Sequence, residues 1–295
     1  MAQIGFIGLG HMGGPMAANL VRAGHRVVGF DLAAQAREDA AAQGISVAEK
    51  LRDVVADSDV LLTMLPAGRH VREVLLGPDG VVQHSRRGSL VIDSSTIDIT
   101  STRAISAAVQ AQGRRFVDAP VSGGIGKARA GTLTFMVGGD ENGFAAAQPI
   151  LEPMGDNIVH VGPAGAGTAA KICNNMLFGA NLVATAEVFV LAEHLGLDAQ
   201  RLFGILTTSS GDNWAVRNFC PVPGVVEGSA ADEGYAPRFA ASLMSKDLGL
   251  AVDAAHDSGI ELPVLARASA VFAEHAASEG QLDASAVIHA VRDRA

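Results

Sequence analysis

The feature that most constrains the fold is an alternation of short apolar runs with alanine-rich helical patterns in the first half of the chain. Most of these runs are followed by a polar turn and then by a helical pattern, which is typical of parallel strands covered by helices on both faces. The apolar runs are residues 3–7, 27–30, 60–65, 89–93 and 114–118, with closing strands predicted at 134–139 and 157–162. We therefore predict an α/β fold whose first domain, residues 1–162, contains a doubly wound sheet.

The pattern changes after residue 163, where strand-like runs nearly vanish. Residues 165–195 contain no proline and carry apolar side chains at helical spacing on more than one face. A helix of about 28 residues would be about 42 Å long, so we expect it to link two domains and to need burial beyond its own. The second domain, residues 163–295, is predicted to be all-helical. Its further elements are predicted at 198–209, 240–258 and 263–279, with a loop rich in Gly, Pro and Asn at 210–237.

Composition argues against several classes of protein. The 295 residues carry a net charge of −9 and no Lys/Arg-rich run, so nucleic acid and anionic membranes are poor candidate partners. We expect no membrane span, because no apolar run is read as reaching the roughly 18 residues required, and we expect no signal peptide. The two cysteines, Cys173 and Cys220, do not make a secreted disulfide framework, so we expect a cytoplasmic protein with buried or half-buried thiols. The histidines show no metal-ligand spacing, and no metal is expected.

A glycine-rich loop follows the first predicted strand. Gly8, Gly10 and Gly13 have the spacing G-x-G-x-x-G, with an apolar strand before them and a helical pattern after them. In this context the first glycine permits a tight turn, the second admits a pyrophosphate and the third allows close packing of helix and strand. The helix N-terminus offers N–H groups to the phosphates, and His11 and Met12 lie inside the same loop. A dinucleotide site is predicted, although a methyltransferase could share this loop alone.

The residues that end the following strands refine the cofactor prediction. Asp31 follows the second predicted strand, where a carboxylate can accept hydrogen bonds from ribose hydroxyls and would repel a 2′-phosphate. The next residue, Leu32, is not an arginine, which favours NAD over NADP. Residues 64–66 and 94–96 end two further strands at the same edge of the sheet, along which a cofactor would pass.

Polar side chains interrupt the long apolar helix. Lys171, Asn174 and Asn175 are spaced i, i+3 and i+4, so they share one helix face. A lysine that loses its charge on desolvation can act as a base, and its ammonium form can return the proton in the reverse reaction. The simpler alternative is a solvent-exposed helix face.

Four segments in the same order carry a resemblance to a known family. They are "GFIGLGHMGGPMAANL" (5–20), "DAPVSGG" (118–124), "GAGTAAKICNN" (165–175) and "KDLGLA" (246–251). Together they resemble the β-hydroxyacid dehydrogenase family over nearly the whole chain. A further segment, "SSGDNWAVRNFCPVPGV" (209–225), is similar to the substrate loop of 3-hydroxyisobutyrate dehydrogenases. The resemblance implies a Rossmann-type domain followed by an all-helical domain, assembled as a homodimer or homotetramer.

The resemblance also implies an activity and a set of site residues. The expected reaction is the NAD-dependent oxidation of a small 3-hydroxy acid, with 3-hydroxyisobutyrate oxidised to methylmalonate semialdehyde in valine catabolism. Lys171 is implied as the catalytic residue, and Asn175 as the residue that orients it or the substrate. Asp247 is expected only to cap or pair. The remaining implied residues are Ser122, Gly123 and Gly124 at the substrate carboxylate, Trp214 at the substrate, Lys246 at the carboxylate or cofactor, and Leu65, Pro66 and Thr96 along the cofactor.

Several alternatives stay open at this point. Phe219 stands near a position where relatives are expected to carry a tyrosine, so the substrate could be serine, tartronate semialdehyde or another short semialdehyde. Oxidative decarboxylation of a phosphorylated sugar acid would require a basic cluster that the C-terminal half does not show. A non-catalytic NAD-binding protein would have little reason to keep Lys171 together with Asn175.

Overall fold

The computed structural model describes residues 1–55 and 58–295. The chain divides into two compact units, Met1–Lys171 and Ile172–Ala295. The strands, all in the first unit, are β1 (Gln3–Ile7), β2 (Arg26–Phe30), β3 (Ser46–Val47), β4 (Val60–Thr63), β5 (Leu90–Asp93), β6 (Arg115–Asp118), β7 (Val121–Ser122), β8 (Leu133–Gly138) and β9 (Gly155–Gly162). The helices that begin in it are α1 (Gly13–Arg22), α2 (Ala34–Ala42), α3 (Leu51–Val55), α4 (Gly68–Leu76), α5 (Val81–His84), α6 (Ile99–Ala111), α7 (Gly124–Ala130), α8 (Glu141–Leu151) and α9 (Ala166–His194).

The sheet confirms the predicted doubly wound α/β class. Its order is β3-β2-β1-β4-β5-β6-β8-β7, and β9 pairs with β8. The pairs from β3 through to β6 are parallel, whereas β8 runs antiparallel to both β6 and β7. The chain starts at β1, moves outward to β3 and returns to β4 on the other side of β1. This reversal of strand order is the switch point at whose carboxyl edge α/β sheets bind ligands.

The central strands of the sheet are buried on both faces, which explains their continuous apolar runs. Ile4 and Phe6 of β1 pack into one cluster, and Ile7 of the same strand packs into a second cluster on the opposite face. Leu62 and Leu61 of β4 divide between the two clusters in the same way. Side chains alternate between the faces of a strand, so burial of both faces requires apolar residues at successive positions.

Two short strands were absent from the sequence prediction. β3 and β7 have two residues each, too few to show a period of two. β7 and β8 pair in antiparallel register, with Ser122 opposite Thr134. The predicted parallel sheet therefore ends in an antiparallel segment that the residue pattern did not reveal.

The second unit contains the rest of α9 and the helices that follow it. These are α10 (Ala199–Leu206), α11 (Trp214–Asn218), α12 (Ala241–Asp257), α13 (Pro263–Glu279), a 3₁₀ helix (Ala284–Val287) and α14 (Ile288–Arg292). The long helix was predicted, and α9 has 29 residues. The segment predicted as a loop at 210–237 contains α11, and Tyr235 inside it donates a hydrogen bond from its hydroxyl to the Pro221 carbonyl at 2.8 Å.

Two expectations require correction. Helix α9 reaches a mean hydropathy of 1.5 over 18 residues, so one segment does have the length and composition of a membrane span. Half of that stretch is buried within the protein. Of the two thiols, Cys220 is buried but Cys173 is exposed. The expectation of burial rested on the general tendency of free cysteines to lie inside a protein, but Cys173 lies on an exposed position of α9.

Candidate active site

The glycine loop joins β1 to α1 at the switch point of the sheet. Gly8 has a φ of +95°, and a Cβ there would collide with the Met64 carbonyl. A Cβ on Gly13 would collide with the Gly8 carbonyl. Gly10 differs, because it is exposed and a Cβ there would meet nothing within 4 Å. Gly8 and Gly13 thus close the turn, while Gly10 leaves open space beside the start of α1, next to His11 and Met12. That space fits the pyrophosphate of a dinucleotide.

Asp31 lies beside this loop at the end of β2. Its Oδ2 accepts a hydrogen bond from the Leu9 N–H at 2.8 Å, and its Oδ1 accepts one from the Ala33 N–H at 2.8 Å. Each carboxylate oxygen has a further lone pair that can accept a ribose hydroxyl. Arg37 of α2 donates from Nη1 to the carbonyls of Asp31 and Leu32, at 2.7 and 3.1 Å. A guanidinium therefore does lie near Asp31. The sequence-based prediction considered only residue 32, which is not an arginine, and did not identify Arg37.

A buried carboxylate that the sequence analysis missed organises the ends of β4 and β5. Asp93 is 1% exposed, and its Oδ1 accepts hydrogen bonds from Thr63 Oγ1 at 2.8 Å and from the Ser95 N–H at 3.1 Å. Burial raises the pKa of Asp93 to about 6. Ser95 Oγ in turn accepts a hydrogen bond from the Leu65 N–H at 2.9 Å. This network fixes Leu65, and the half-buried Thr96 and the exposed Pro66 follow directly in the two turns.

The segment Ser122–Gly124 turns from β7 into α7. Gly123 and Gly124 have φ values of +137° and +68°, which favour glycine over residues with a side chain. A Cβ on Gly124 would meet nothing within 4 Å, so its backbone is open to an approaching group. The hydroxyl of Ser122 and the adjacent N–H groups are suitable donors to a carboxylate.

The polar residues of α9 differ in burial. Lys171 and Asn175 are 8% and 3% exposed, whereas Asn174 is exposed. The alternative of a solvated helix face is therefore wrong for Lys171 and Asn175. Lys171 is the last residue of the first compact unit, and Asn175 belongs to the second.

Asp247 holds the amide of Asn175 within the second unit. Asn175 Nδ2 donates to Asp247 Oδ2 at 2.5 Å, and Asn175 Oδ1 accepts a hydrogen bond from Asn174 Nδ2 at 2.9 Å. Lys246 Nζ lies 3.2 Å from Asp247 Oδ1. Asp247 is 4% exposed, so it orders Asn175 as well as pairing with its neighbour. Its position next to Lys246 in "KDLGLA" was the available signal, but its contact with α9 depends on tertiary packing.

Trp214 is the first residue of α11 and is 55% exposed. The preceding Asn213 caps the helix by accepting hydrogen bonds from the N–H groups of the second and third helical residues, at 2.9 and 3.1 Å. At the end of α11, the ring of Phe219 packs edge-on against Phe178 of α9, with centroids 4.9 Å apart. The segment is therefore anchored at both ends, and Trp214 is presented from an ordered turn.

A metal centre receives no support from the described parts of the chain. Residues 1–55 and 58–295 contain no group of three or more His, Cys, Asp or Glu side chains that could hold an ion. The titratable groups described above are instead carboxylates that accept hydrogen bonds and lysines at the predicted site positions.

The strand order, the glycine loop and Asp31 are typical of a dinucleotide-binding domain. Residues 3–162 match the family model described as the NAD binding domain of 6-phosphogluconate dehydrogenase. Residues 165–291 match the model described as the NAD-binding domain of NADP-dependent 3-hydroxyisobutyrate dehydrogenase.

Individual relatives cover almost the whole chain. A Mycobacterium tuberculosis protein named probable 3-hydroxyisobutyrate dehydrogenase is 50% identical over 295 residues, which are 100% of this chain and 99% of the relative. An NAD-dependent L-serine dehydrogenase of Pseudomonas aeruginosa is 48% identical over 90% of this chain and 89% of its own. The solved structure of M. tuberculosis 3-hydroxyisobutyrate dehydrogenase with L-serine has a TM-score of 0.94 at 49% identity and covers 99% of both chains. The chain belongs to the β-hydroxyacid dehydrogenase family, and it is a dehydrogenase that uses NAD.

The buried carboxylates predict a pH dependence of stability. The pKa of Asp93 in the folded protein is about 6, above its ordinary value of 3.8, and burial also raises the pKa of Asp118. The folded state therefore retains the Asp93 proton between about pH 4 and 6. The stabilising contribution of this proton is complete below pH 4 and is lost as the pH rises through 6.

An Asp93→Asn variant should remove the larger part of this dependence. Its free energy of unfolding, relative to the unaltered protein, should increase between pH 4 and 7 by up to about 3 kcal/mol, at 1.36 kcal/mol per pKa unit. Urea unfolding at several pH values measures this difference, and Asn in place of the exposed Asp79 provides the control. A difference that stays constant with pH would show that Asp93 titrates as an ordinary carboxyl.

Proposed function

We propose that this chain oxidises 3-hydroxyisobutyrate to methylmalonate semialdehyde with NAD, a step of valine catabolism, in the cytoplasm. We propose an NAD-binding domain at residues 1–162 and a helical domain at residues 163–295 for substrate binding and dimerisation. The observation that carries the proposal is a buried lysine, Lys171, one helical turn from a buried amide, Asn175, that is held by Asp247. The names of the full-length relatives support the choice of substrate.

The residues have distinct proposed roles in the reaction. Bound NAD would supply the hydride acceptor for the carbon that carries the hydroxyl group. Lys171 in its neutral form takes the hydroxyl proton, and in the reverse direction its ammonium group returns that proton. Asn175 orients the hydroxyl or the lysine. The proposed carboxylate donors are Ser122, Gly123, Gly124 and Lys246, and Trp214 excludes water from the substrate.

The cofactor is proposed to lie along the carboxyl edge of the sheet in the first unit. The loop around Gly10 would hold the pyrophosphate, and the Asp31 carboxylate would accept hydrogen bonds from the adenosine ribose. Leu65 and Thr96 follow β4 and β5 at the same edge, where the nicotinamide half is expected. The proposed cofactor residues are Gly8, Gly10, His11, Met12, Gly13, Asp31, Leu65, Pro66, Thr96 and Lys246.

L-serine is the second candidate substrate. One relative is an L-serine dehydrogenase, and the solved structure described above contains L-serine. Against it, the ring of Phe219 packs on Phe178 and offers no hydroxyl. An apolar side chain near the substrate is better suited to the methyl group of 3-hydroxyisobutyrate than to the ammonium group of serine.

A substrate panel tests the proposal. NAD reduction should be measured with both enantiomers of 3-hydroxyisobutyrate, L-serine, glycerate and 4-hydroxybutyrate. We expect the highest kcat/KM for one enantiomer of 3-hydroxyisobutyrate. A kcat/KM for L-serine at least about tenfold higher, a difference of about 1.4 kcal/mol, would assign the chain to the serine branch of the family.

Cofactor preference gives a separate prediction. The unaltered protein should favour NAD over NADP by more than about tenfold in kcat/KM, because like charges 4 Å apart near a protein surface repel by up to about 4 kcal/mol. Asp31→Ala combined with Leu32→Arg should shift the preference toward NADP, and Leu32→Arg alone should shift it less because Asp31 remains. Steady-state kinetics with both cofactors measure the ratio. Equal kcat/KM values in the unaltered protein would contradict the assigned role of Asp31.

The apolar surface of the second unit supports a homo-oligomer. Leu177 and Leu191 of α9 are 64% and 60% exposed, Leu195 directly after α9 is 66% exposed, and Val264 at the start of α13 is 69% exposed. A groove of about 300 Å³ is lined by Ala180, Val183, Ala184, Glu187, Pro263, Val264, Arg267 and Ala268. Apolar patches of this kind mark protein–protein interfaces.

We therefore predict at least a dimer in solution. Leu191→Lys should weaken it, because a charge would then be buried in the interface. Light scattering at micromolar concentration measures the mass of both proteins. A stable monomer for the unaltered chain would contradict the prediction.

A further inference from the structure

Asp118 is the last residue of β6, and both oxygens of its carboxylate accept hydrogen bonds from the start of α9. It is 1% exposed. Its Oδ1 accepts a hydrogen bond from the Gly165 N–H at 2.7 Å. Its Oδ2 accepts hydrogen bonds from the Thr168 N–H at 2.8 Å and from Thr168 Oγ1 at 3.1 Å. The first N–H groups of a helix have no carbonyl partner within it, so this carboxylate satisfies two of them and complements the helix dipole.

Other helices in the protein are capped by their own preceding residue. Asp98 caps α6, Asp140 caps α8 and Asp198 caps α10, each by accepting a hydrogen bond from an N–H three residues later. The cap of α9 comes from a strand 47 residues earlier in the chain. A local cap fixes only the first turn of a helix, whereas a cap from the sheet fixes where the helix begins relative to the sheet.

Two glycines make the same junction tight. A Cβ on Gly167 would collide with the Met136 carbonyl of β8, and a Cβ on Gly138 would lie 2.5 Å from Asp118 Oδ1. The hydroxyl of Thr168 also lies 3.2 Å from that of Thr102 in α6. The first turn of α9 is therefore held by β6, β8 and α6, which leaves little freedom for it to slide or rotate.

We infer that Asp118 is a positioning residue for Lys171. Lys171 lies three residues after Thr168, about 4.5 Å further along the helix. Any shift at the first turn is therefore transmitted to the lysine almost undiminished. The inference rests on the proposed role of Lys171 in proton transfer, and it adds a residue that determines where the lysine lies.

The test compares substitutions that loosen this junction in different ways. Asp118→Asn keeps the shape of the side chain but removes the charge and places an N–H₂ group against N–H donors. Gly167→Ala pushes the helix away from β8. Thr168→Val removes the hydroxyl with its contacts to Asp118 and Thr102, but keeps the backbone N–H that Asp118 accepts from. Asp140→Ala is the matched control, because it removes the cap of α8 in the same unit and leaves α9 untouched.

A displaced lysine should affect turnover more than cofactor binding. We expect kcat to fall at least about tenfold for Asp118→Asn and for Gly167→Ala, because a misplacement of about 1 Å can cost about 10²-fold. The Kd for NAD, measured by fluorescence titration, should stay within about twofold. Thr168→Val should lower kcat by a smaller factor. Asp140→Ala should lower the Tm while leaving kcat within about twofold.

Three outcomes would overturn the inference. The first is a kcat within twofold of the unaltered enzyme for Asp118→Asn despite a lower Tm. The second is an equal loss of kcat and of NAD affinity, which would indicate general loosening. The third outcome concerns the case in which Asp118→Asn does not fold. In that case, an unchanged kcat in both Gly167→Ala and Thr168→Val would overturn the inference.

Lys171→Ala, measured in the same assay, separates this inference from the proposed function. Normal turnover in Lys171→Ala would contradict the proposed role of the lysine itself. Lost turnover in Lys171→Ala with normal turnover in Asp118→Asn would remove only the positioning role.

Discussion

A Lys171→Ala variant should lose about 10²–10⁴-fold in kcat, which is the contribution of a positioned proton-transfer group, while it still binds NAD. The alcohol must give up its proton as the hydride leaves, and alanine can neither accept that proton nor return it. The glycine loop and Asp31 lie on other elements of the first unit, β1, α1 and β2. Removing a side chain from α9 therefore leaves the cofactor contacts intact.

Two measurements on this variant separate chemistry from binding. Stopped-flow or steady-state kinetics with saturating hydroxy acid give kcat, and fluorescence titration gives the Kd for NAD. Lys50→Ala is the matched control, since Lys50 is exposed and far along the chain from α9. A Lys171→Ala variant with near-normal turnover would require a different proton donor.

A Gly10→Val variant should lose NAD binding by more than about 10²-fold while the protein stays folded. A Cβ at Gly10 meets no protein atom within 4 Å, and its φ lies outside the left-handed region. The added methyl groups would therefore occupy the space assigned to the pyrophosphate. We expect the loss of that contact and the steric clash to cost more binding free energy than the roughly 2.7 kcal/mol that corresponds to a 10²-fold change in Kd.

The controls for this variant use glycines in other surroundings. Gly204→Ala in α10 also adds a Cβ into open space and should leave NAD affinity unchanged. Gly13→Ala should instead reduce stability, because its Cβ would collide with the Gly8 carbonyl. Calorimetric titration with NAD and thermal unfolding distinguish the two effects. Unchanged NAD affinity in Gly10→Val would place the pyrophosphate elsewhere.

The first unit was largely predictable because its signals are local. Strands β1, β2, β4, β5 and β6 each contain a short apolar run. The glycine spacing between β1 and α1 follows from the steric requirements of the turn. Helix α9 was predicted from its length and the absence of proline. The two-residue strands β3 and β7 were not, because two residues show no periodicity.

The residues that the sequence did not reveal depend on long-range contacts. Asp93 and Asp118 end neighbouring strands and lie opposite each other in the β5–β6 register. Each was visible as an acidic residue at a strand end, but its hydrogen-bond partners lie up to 50 residues away. Asp247 contacts Asn175 from 72 residues away. Arg37, on α2, donates a hydrogen bond to the Asp31 carbonyl. Inspection of the residue next to Asp31 in the sequence could not show this contact.

Chemical rescue of Lys171→Ala tests the central claim most directly. Small primary amines, such as methylamine and ethylamine, should occupy the space of the missing side chain and restore NAD reduction. The rate of the variant should rise with the concentration of neutral amine, and the unaltered enzyme should not respond. The absence of rescue, together with a pH–rate profile unchanged from that of the unaltered enzyme, would contradict the assignment of Lys171 as the proton-transfer group.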